Sequence, residues 1–414
     1  MQLKILLSTA TVALCLYGCS GNSAANKTNS GGSAPAGNTG NPPVETSKPN
    51  SDYKPAFPGQ TRIKSVTTST PYNVEKIAKD LDRPWAVVAL KDGRLLITEK
   101  SGSMQLRSAD GVLITKISGF PEVDSDGQGG MLDVAPDAEF DQNRTIYWSF
   151  SLKQEKGNLM AVAKGQLSED FSKLLNPVVI FRATPALKSS AHFGSRLLFD
   201  KEGYLFVSTG ERSIIEGRMQ AEMLTSGLGK IYRMTKDGQP APGNPFINQA
   251  NALPQIYSYG HRNPQGLDIH PVTGELWESE FGPKGGDELN LIKPGKNYGW
   301  PTITYGIEYS GEKIGDAIQQ KAGLEQPVYY WDPVVSPSGM AFYAGDAIPE
   351  WKNNLFIAAL SATHIVRLVI ENNKVIGEER IIANEKERIR DVAYANGQLY
   401  AITDSGILYR IRKK

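Results

Sequence analysis

The sequence predicts an all-β fold: a six-bladed β-propeller of four-stranded antiparallel sheets. Three observations predict it. A turn followed by an alternating strand recurs six times. No long segment carries the apolar period of a helix. Setting aside the N-terminal leader and linker leaves about 350 residues, from near Arg62 to Lys414. That length suits six radial sheets with protected edges.

The chain opens with Lys4 and then an apolar run over residues 5–17. That run is shorter than the ~20 residues a membrane-spanning helix needs. It reads as the core of a signal peptide covering residues 1–19. Its end, Leu16-Tyr17-Gly18-Cys19, is similar to a bacterial lipobox. The expectation is an exported, periplasm-facing lipoprotein held to the membrane by lipid on Cys19. Ordinary cleavage near the same place would also export the chain. Cys15 and Cys19 are the only cysteines, so the mature domain has no disulfide or thiolate metal site.

Residues 20–61 are rich in Ser, Asn, Gly, Pro and Thr, with Val44, Tyr53 and Phe57 nearly the only large apolar side chains. Such a stretch buries too little surface to offset its chain entropy, which predicts a disordered linker. The domain is expected over residues 62–414.

Six strands mark the repeat, with Leu95, Ile146, Leu205, Leu276, Leu355 and Leu399 at equivalent places. The intervals are irregular, 44 to 79 residues, and each holds a four-stranded sheet with variable loops. A first strand over residues 74–78 is expected to pair with the last blade and close the ring.

Charge is balanced, Lys+Arg 45 against Asp+Glu 44, with no basic stripe. Nucleic acid is therefore not an expected partner. The chain has no His-Glu-x-x-His, Walker loop, Gly-x-Ser-x-Gly or Gly-x-Gly-x-x-Gly, which argues against nucleotide and nicotinamide chemistry.

Residues 255–300 concentrate chemistry. They hold a cation and an amide (Arg262, Asn263), a Gly-Pro turn (Gly282, Pro283) and an acidic pair (Asp287, Glu288). Such groups suit an anionic cofactor and a hard cation. His192 stands just before a blade strand, in Ala191-His192-Phe193-Gly194-Ser195-Arg196, and Glu211 follows one strand later. A carboxylate there could orient the imidazole. His261 and His270 read as structural.

These motifs, in this order, resemble the glucose/sorbosone dehydrogenase family, whose characterised members use pyrroloquinoline quinone (PQQ) and calcium. The resemblance spans roughly residues 72–412. It implies His192 as general base, with Glu211 behind it. Arg262 and Asn263 would meet the reacting carbonyl of PQQ. Gly282 and Pro283 would offer main-chain oxygens to the cofactor's calcium. Asp287, Glu288 and the Tyr298 carbonyl resemble a second calcium site. Gln128 matches a glutamine lining the sugar pocket, and Arg388 and Arg390 match a pair gripping the cofactor's carboxylates.

Two positions depart from the family's pattern. Ser361 stands where PQQ-using glucose dehydrogenases have a lysine, and Phe281 replaces a polar residue before the Gly-Pro turn. Both weaken the expected hold on the cofactor. The resemblance implies oxidation of an aldose at C1 to a lactone, with an unidentified quinone or cytochrome as electron acceptor. The alternatives are a calcium-dependent lactonase and a non-catalytic carbohydrate- or protein-binding propeller.

Overall fold

The computed structural model describes residues 41–414. The expected signal peptide, Cys19 and residues 20–40 of the expected linker lie outside the described residues. Among those described, no helix is long and apolar enough to cross a membrane.

The described chain forms six four-stranded antiparallel sheets. The first blade runs Pro84–Ala89, Leu95–Glu99, Ser103–Arg107 and Leu113–Ile117. The second runs Met131–Pro136, Thr145–Gln154, Gly157–Leu167 and Leu174–Arg182. The third runs Gly194–Phe199, Leu205–Thr209, Lys230–Met234 and Ile256–Tyr259. The fourth runs Pro264–Ile269, Leu276–Glu280, Asp287–Ile292 and Tyr329–Trp331. The fifth runs Pro337–Phe342, Leu355–Ala359, His364–Glu371 and Lys374–Ile381. The sixth takes Ile389–Ala395, Gln398–Thr403 and Leu408–Lys413 from the C-terminus. Its fourth strand is Tyr72–Ala78, paired in register Tyr72 to Lys413 through Ala78 to Leu408. The ring closes as the sequence suggested.

All six repeat markers fall in second strands. In four blades the preceding turn carries a glycine in the left-handed region: Gly93, Gly203, Gly274 and Gly397. Second strands are sandwiched between neighbouring blades, so both of their faces are buried. In the third blade, Leu205 and Val207 pack toward Leu132 and Tyr147 of the second blade. Phe206, between them in sequence, packs toward Leu267 and Leu276 of the fourth. Each such side chain contributes roughly 1.5–3 kcal/mol.

Polar clasps tie adjacent blades near the axis. Ser149 Oγ donates to Ser195 O (2.7 Å) and Ser208 Oγ to Pro264 O (3.1 Å). First-strand aspartates of alternate blades accept a backbone N–H from the next blade. These are Asp133 from Leu197 (2.8 Å), Asp268 from Phe342 (2.7 Å) and Asp391 from Val87 (2.8 Å). Buried Arg196 bridges Asp133 (3.4 Å) and Asp391 (3.0 Å) and lies over the Trp85 ring at 4.3 Å.

Residues 41–61 correct the expected linker. They lie against the fourth and fifth blades. Asp332 accepts from the backbone N–H of Asn50 (2.8 Å) and of Ser51 (3.0 Å). Gln60 is fully buried and donates to Pro327 O at 2.9 Å. Glu45 pairs with Arg380 at 2.8 Å. Polar side chains bonding to a preformed surface order a segment whose composition gives it no core of its own.

Candidate active site

Antiparallel order decides where the site lies. Each first strand runs away from one end of the ring and each second strand returns to it. The segments leading into first strands and the residues leaving second strands therefore meet at that end. A cavity of about 520 Å³ opens there. Arg83, Gln128, His192, Arg388 and Arg390 reach it from first-strand entrances, and Lys100, Phe281, Leu360 and Asp404 from second-strand exits.

His192 sits in a tight left-handed bend: His192, Gly194 and Ser195 have φ of 49°, 67° and 96°. At Gly194 a Cβ would come within 2.7 Å of the Thr209 and Gly210 backbone, so a side chain there does not fit. Gln128 Oε1 accepts the His192 backbone N–H at 2.8 Å, and Asn263 Oδ1 accepts that of Gly194 at 3.0 Å. His192 Nδ1 lies 2.6 Å from Glu211 Oε1, and both residues are buried. With Nδ1 donating to the Glu211 carboxylate, Nε2 is the accepting atom. Burial, and then the Arg262 charge, push the imidazole pKa down to about 4 against the pull of Glu211. The ring is neutral at neutral pH.

Arg262 is tied to the Gly-Pro turn. Its Nη1 donates to Phe281 O (3.1 Å) and Gly282 O (2.7 Å), and its guanidinium lies 5.1 Å from the Trp300 ring centre. Glu280 accepts the backbone N–H groups of both Arg262 and Asn263. Arg262 Nε and Asn263 Nδ2 are buried without partners. Asn263 is fully buried and supports the His192 bend from below; it is not among the residues lining the large cavity.

A second, small cavity of about 10 Å³, room for one ion, is lined by Arg262, Gly282, Pro283, Glu288 and Tyr298 among others. Gly282 and Pro283, expected at the cofactor's calcium, and Glu288 and Tyr298, expected at a second one, thus line one and the same cavity. Asp287 does not join them. Its Oδ1 accepts from Gly282 (2.8 Å), and its Oδ2 from Val335 (2.8 Å) and Ser336 (2.6 Å). It shapes the turn instead, and burial pushes its pKa up to about 7. Beside the small cavity, Asn290 Nδ2 contacts Glu278 (3.0 Å), Glu280 (3.4 Å) and Glu288 (3.3 Å). Burial, then the charge of Glu280, holds Glu278 and Glu288 well above the usual carboxylate range. Glu280 and Glu288 line this cavity with the Arg262 guanidinium beside them; their carboxylate oxygens are donors of the kind a hard divalent cation takes.

Arg388 and Arg390 share Asp404, with Nε to carboxylate distances of 2.9 and 2.8 Å. Burial raises the Asp404 pKa, but Arg390 and Arg388 outweigh it and hold the carboxyl below its usual value. Ser361 Oγ bonds Ser336 Oγ at 2.8 Å, and Phe281 lines the large cavity. Arg83, Lys100, Glu280 and Asp404 belong to the site but were not singled out from sequence. Their signal was the repeat itself, which places every first-strand entrance and second-strand exit at this end. His261 is bonded to Ser258 (2.8 Å) and Glu280 (3.3 Å), is stacked on Tyr298 at 4.7 Å, and comes together with Glu278 and Glu280. His270 accepts turn N–H groups from Val272 and Thr273.

The glucose/sorbosone dehydrogenase family model matches residues 81–410. The aldose sugar dehydrogenase YliI of Escherichia coli is 43% identical over 345 residues, 82% of this chain and 92% of that protein. The structure of the soluble aldose sugar dehydrogenase from Escherichia coli, in its apo-form, superposes with a TM-score of 0.79 at 41% identity, covering 83% of this chain and 100% of that one. The PQQ-bound aldose sugar dehydrogenase of Streptomyces coelicolor gives 0.68 at 28% identity, covering 84% and 99%. With fold and sequence agreeing over nearly the whole propeller, this chain belongs to the glucose/sorbosone dehydrogenase family.

Proposed function

We propose that the protein is a PQQ-dependent dehydrogenase that oxidises an aldose at C1 to its lactone. The observation that carries this reading is the buried His192–Glu211 pair facing a cavity rimmed by cations. The cavity has space for a planar polycarboxylate, and its Arg388 and Arg390 offer guanidinium forks suited to carboxylates. Pro283 and Glu288 of the small cavity would hold calcium, while the Gly282 carbonyl accepts from Arg262. When bound, PQQ would supply the two-electron acceptor that the side chains lack.

His192 would accept the C1 hydroxyl proton at Nε2. Glu211 holds the ring in position and stabilises the imidazolium that results. Arg262, bonded to the Gly282 carbonyl and lining the small cavity, would offset developing negative charge. A lactonase would need carboxylates converging on the cavity. Its lining presents Asp404, already shared by two arginines.

The export and Cys19 lipidation expected from the leader would put the enzyme at the periplasmic membrane face. The test of function is to add PQQ and Ca²⁺ to purified apo-protein and assay a dye-linked aldose panel. No oxidation of any aldose under saturating PQQ would refute the reading.

A further inference from the structure

Four cations rim the large cavity: Arg83, Lys100, Arg388 and Arg390, with Asp404 the carboxylate among them. Asp404 is engaged by both arginines of the sixth blade. The first-blade pair has no such partner within the cavity. Arg83 reaches only Asp82, at 3.5 Å, and both of those side chains are more than half exposed. Lys100 Nζ donates to the Gly127 carbonyl, a neutral group, which leaves two of its N–H donors free.

The backbone fixes this pair. Arg83 is in the left-handed region, φ 46°. Its carbonyl accepts the Lys100 N–H at 3.0 Å, and the Lys100 carbonyl accepts that of Met131 at 3.2 Å. The Gly127–Gly130 loop closes over Lys100: a Cβ on Gly130 would come within 2.3 Å of the Lys100 carbonyl. Lys100 is thereby built into the same loop that carries Gln128. Burial, then Arg83 and Arg390, hold the Lys100 ammonium pKa below its usual value, while Asp404 and Asp126 pull the other way. Like charges held together in a half-buried cavity repel one another until an anion arrives.

The fifth-blade position that departs from the family pattern offers no charge. Ser361 Oγ is taken up by Ser336 and reaches toward Val334 O. We infer that Lys100, assisted by Arg83, is a further cofactor-carboxylate anchor beside Arg388 and Arg390, a first-blade cation supplying the charge that Ser361 lacks. The inference rests on the dehydrogenase reading and adds to it two residues and a location.

The test is PQQ binding rather than turnover. PQQ is titrated into Ca²⁺-loaded apo-protein and followed by quenching of tryptophan fluorescence, with Trp85 in the cavity wall as a reporter. Lys100→Gln is expected to weaken binding by about tenfold or more and to flatten its salt dependence. Arg83→Gln, more exposed, should weaken it less. Lys100→Arg should bind like wild type. Binding within twofold of wild type in Lys100→Gln overturns the inference and leaves the dehydrogenase reading intact. Equal losses in the Gln and Arg variants would also overturn it, because packing of the Gly127 loop would then be the cause. Wild-type protein that takes up no PQQ would bring down both.

Discussion

His192 and Glu211 form a closed unit with Arg262. The imidazole Nδ1 is 2.6 Å from the Glu211 carboxylate, and the Glu211 backbone N–H donates to the Arg262 carbonyl at 2.9 Å. Arg212 N–H then returns to the His192 carbonyl at 3.2 Å. The proposed base, its orienting carboxylate and the proposed electrostatic residue therefore share one backbone frame across the third and fourth blades. Arg212 tightens that frame, donating to Asn158 O (2.9 Å) and Ala191 O (3.1 Å) and lying 3.9 Å from the Phe193 ring centre.

Removing the imidazole should separate chemistry from cofactor binding. A general base contributes roughly 10²–10⁴-fold to rate. His192→Ala is expected to lose kcat by about that factor with every aldose while its PQQ titration stays near wild type. Steady-state kinetics and the fluorescence titration measure the two parts separately. Near-native kcat would return His192 to a structural role.

The pH profile follows from the same burial. The folded His192 pKa lies near 4, below the value of about 6.5 expected when unfolded. A neutral base is needed, so kcat/KM should stay flat from neutrality to about pH 5 and fall below that. The linked stability has the same sign. The unfolded chain binds more protons between these pKa values, so this contribution is lost as pH falls from about 6.5 toward 4. Glu211→Gln removes support for the imidazolium and should move the acid limb lower while reducing kcat. An acid limb centred near 6.5 in wild type would contradict the buried-base geometry.

Much of this was legible in the residues, for a physical reason. A second strand sandwiched between blades must be apolar on both faces and follow a tight turn, and that leaves a repeated signature at Leu95, Ile146 and Leu205 through Leu399. His192 and Arg262 sit beside glycines, prolines and asparagine that force unusual backbone, so their motifs stand out. Asp404 and Lys100 lacked such markers. Each is an ordinary charged residue after a strand, and only ring closure brings it to the cavity. The misread of residues 41–61 has a similar origin. Composition reports whether a segment can build its own core, and this one borrows a surface through Asp332, Pro327 and Arg380.

Calcium should stabilise the fourth blade as well as complete the site. Glu278 and Glu288 are pushed up by burial and then by the Glu280 charge, so a divalent cation nearby relieves repulsion. Adding Ca²⁺ to chelator-treated apo-protein is expected to raise Tm, and the rise should shrink in Glu288→Gln. The effect should weaken as pH falls, because protonated carboxylates bind calcium poorly. Thermal melts with and without Ca²⁺ measure this; identical melts would argue against a cation beside Glu288.

Arg196 offers the sharpest test of how the axis is held. It neutralises Asp133 and Asp391, both buried, at a place where three blades meet. Burial already pushes Asp133 up to about 6 and raises Asp391, with Arg196 pulling both down. Arg196→Met keeps the packing over Trp85 but strands two carboxylates. Breaking a buried pair in this way costs about 3–5 kcal/mol. The carboxylates can escape the penalty by taking up protons. Their folded pKa values then rise further above the unfolded value, so their contribution is present at low pH and lost as pH rises through the folded pKa. Urea unfolding should therefore show a larger deficit for Arg196→Met at pH 8 than at pH 5. An equal deficit at both would mean that Arg196 acts through packing on Trp85 rather than through its charge.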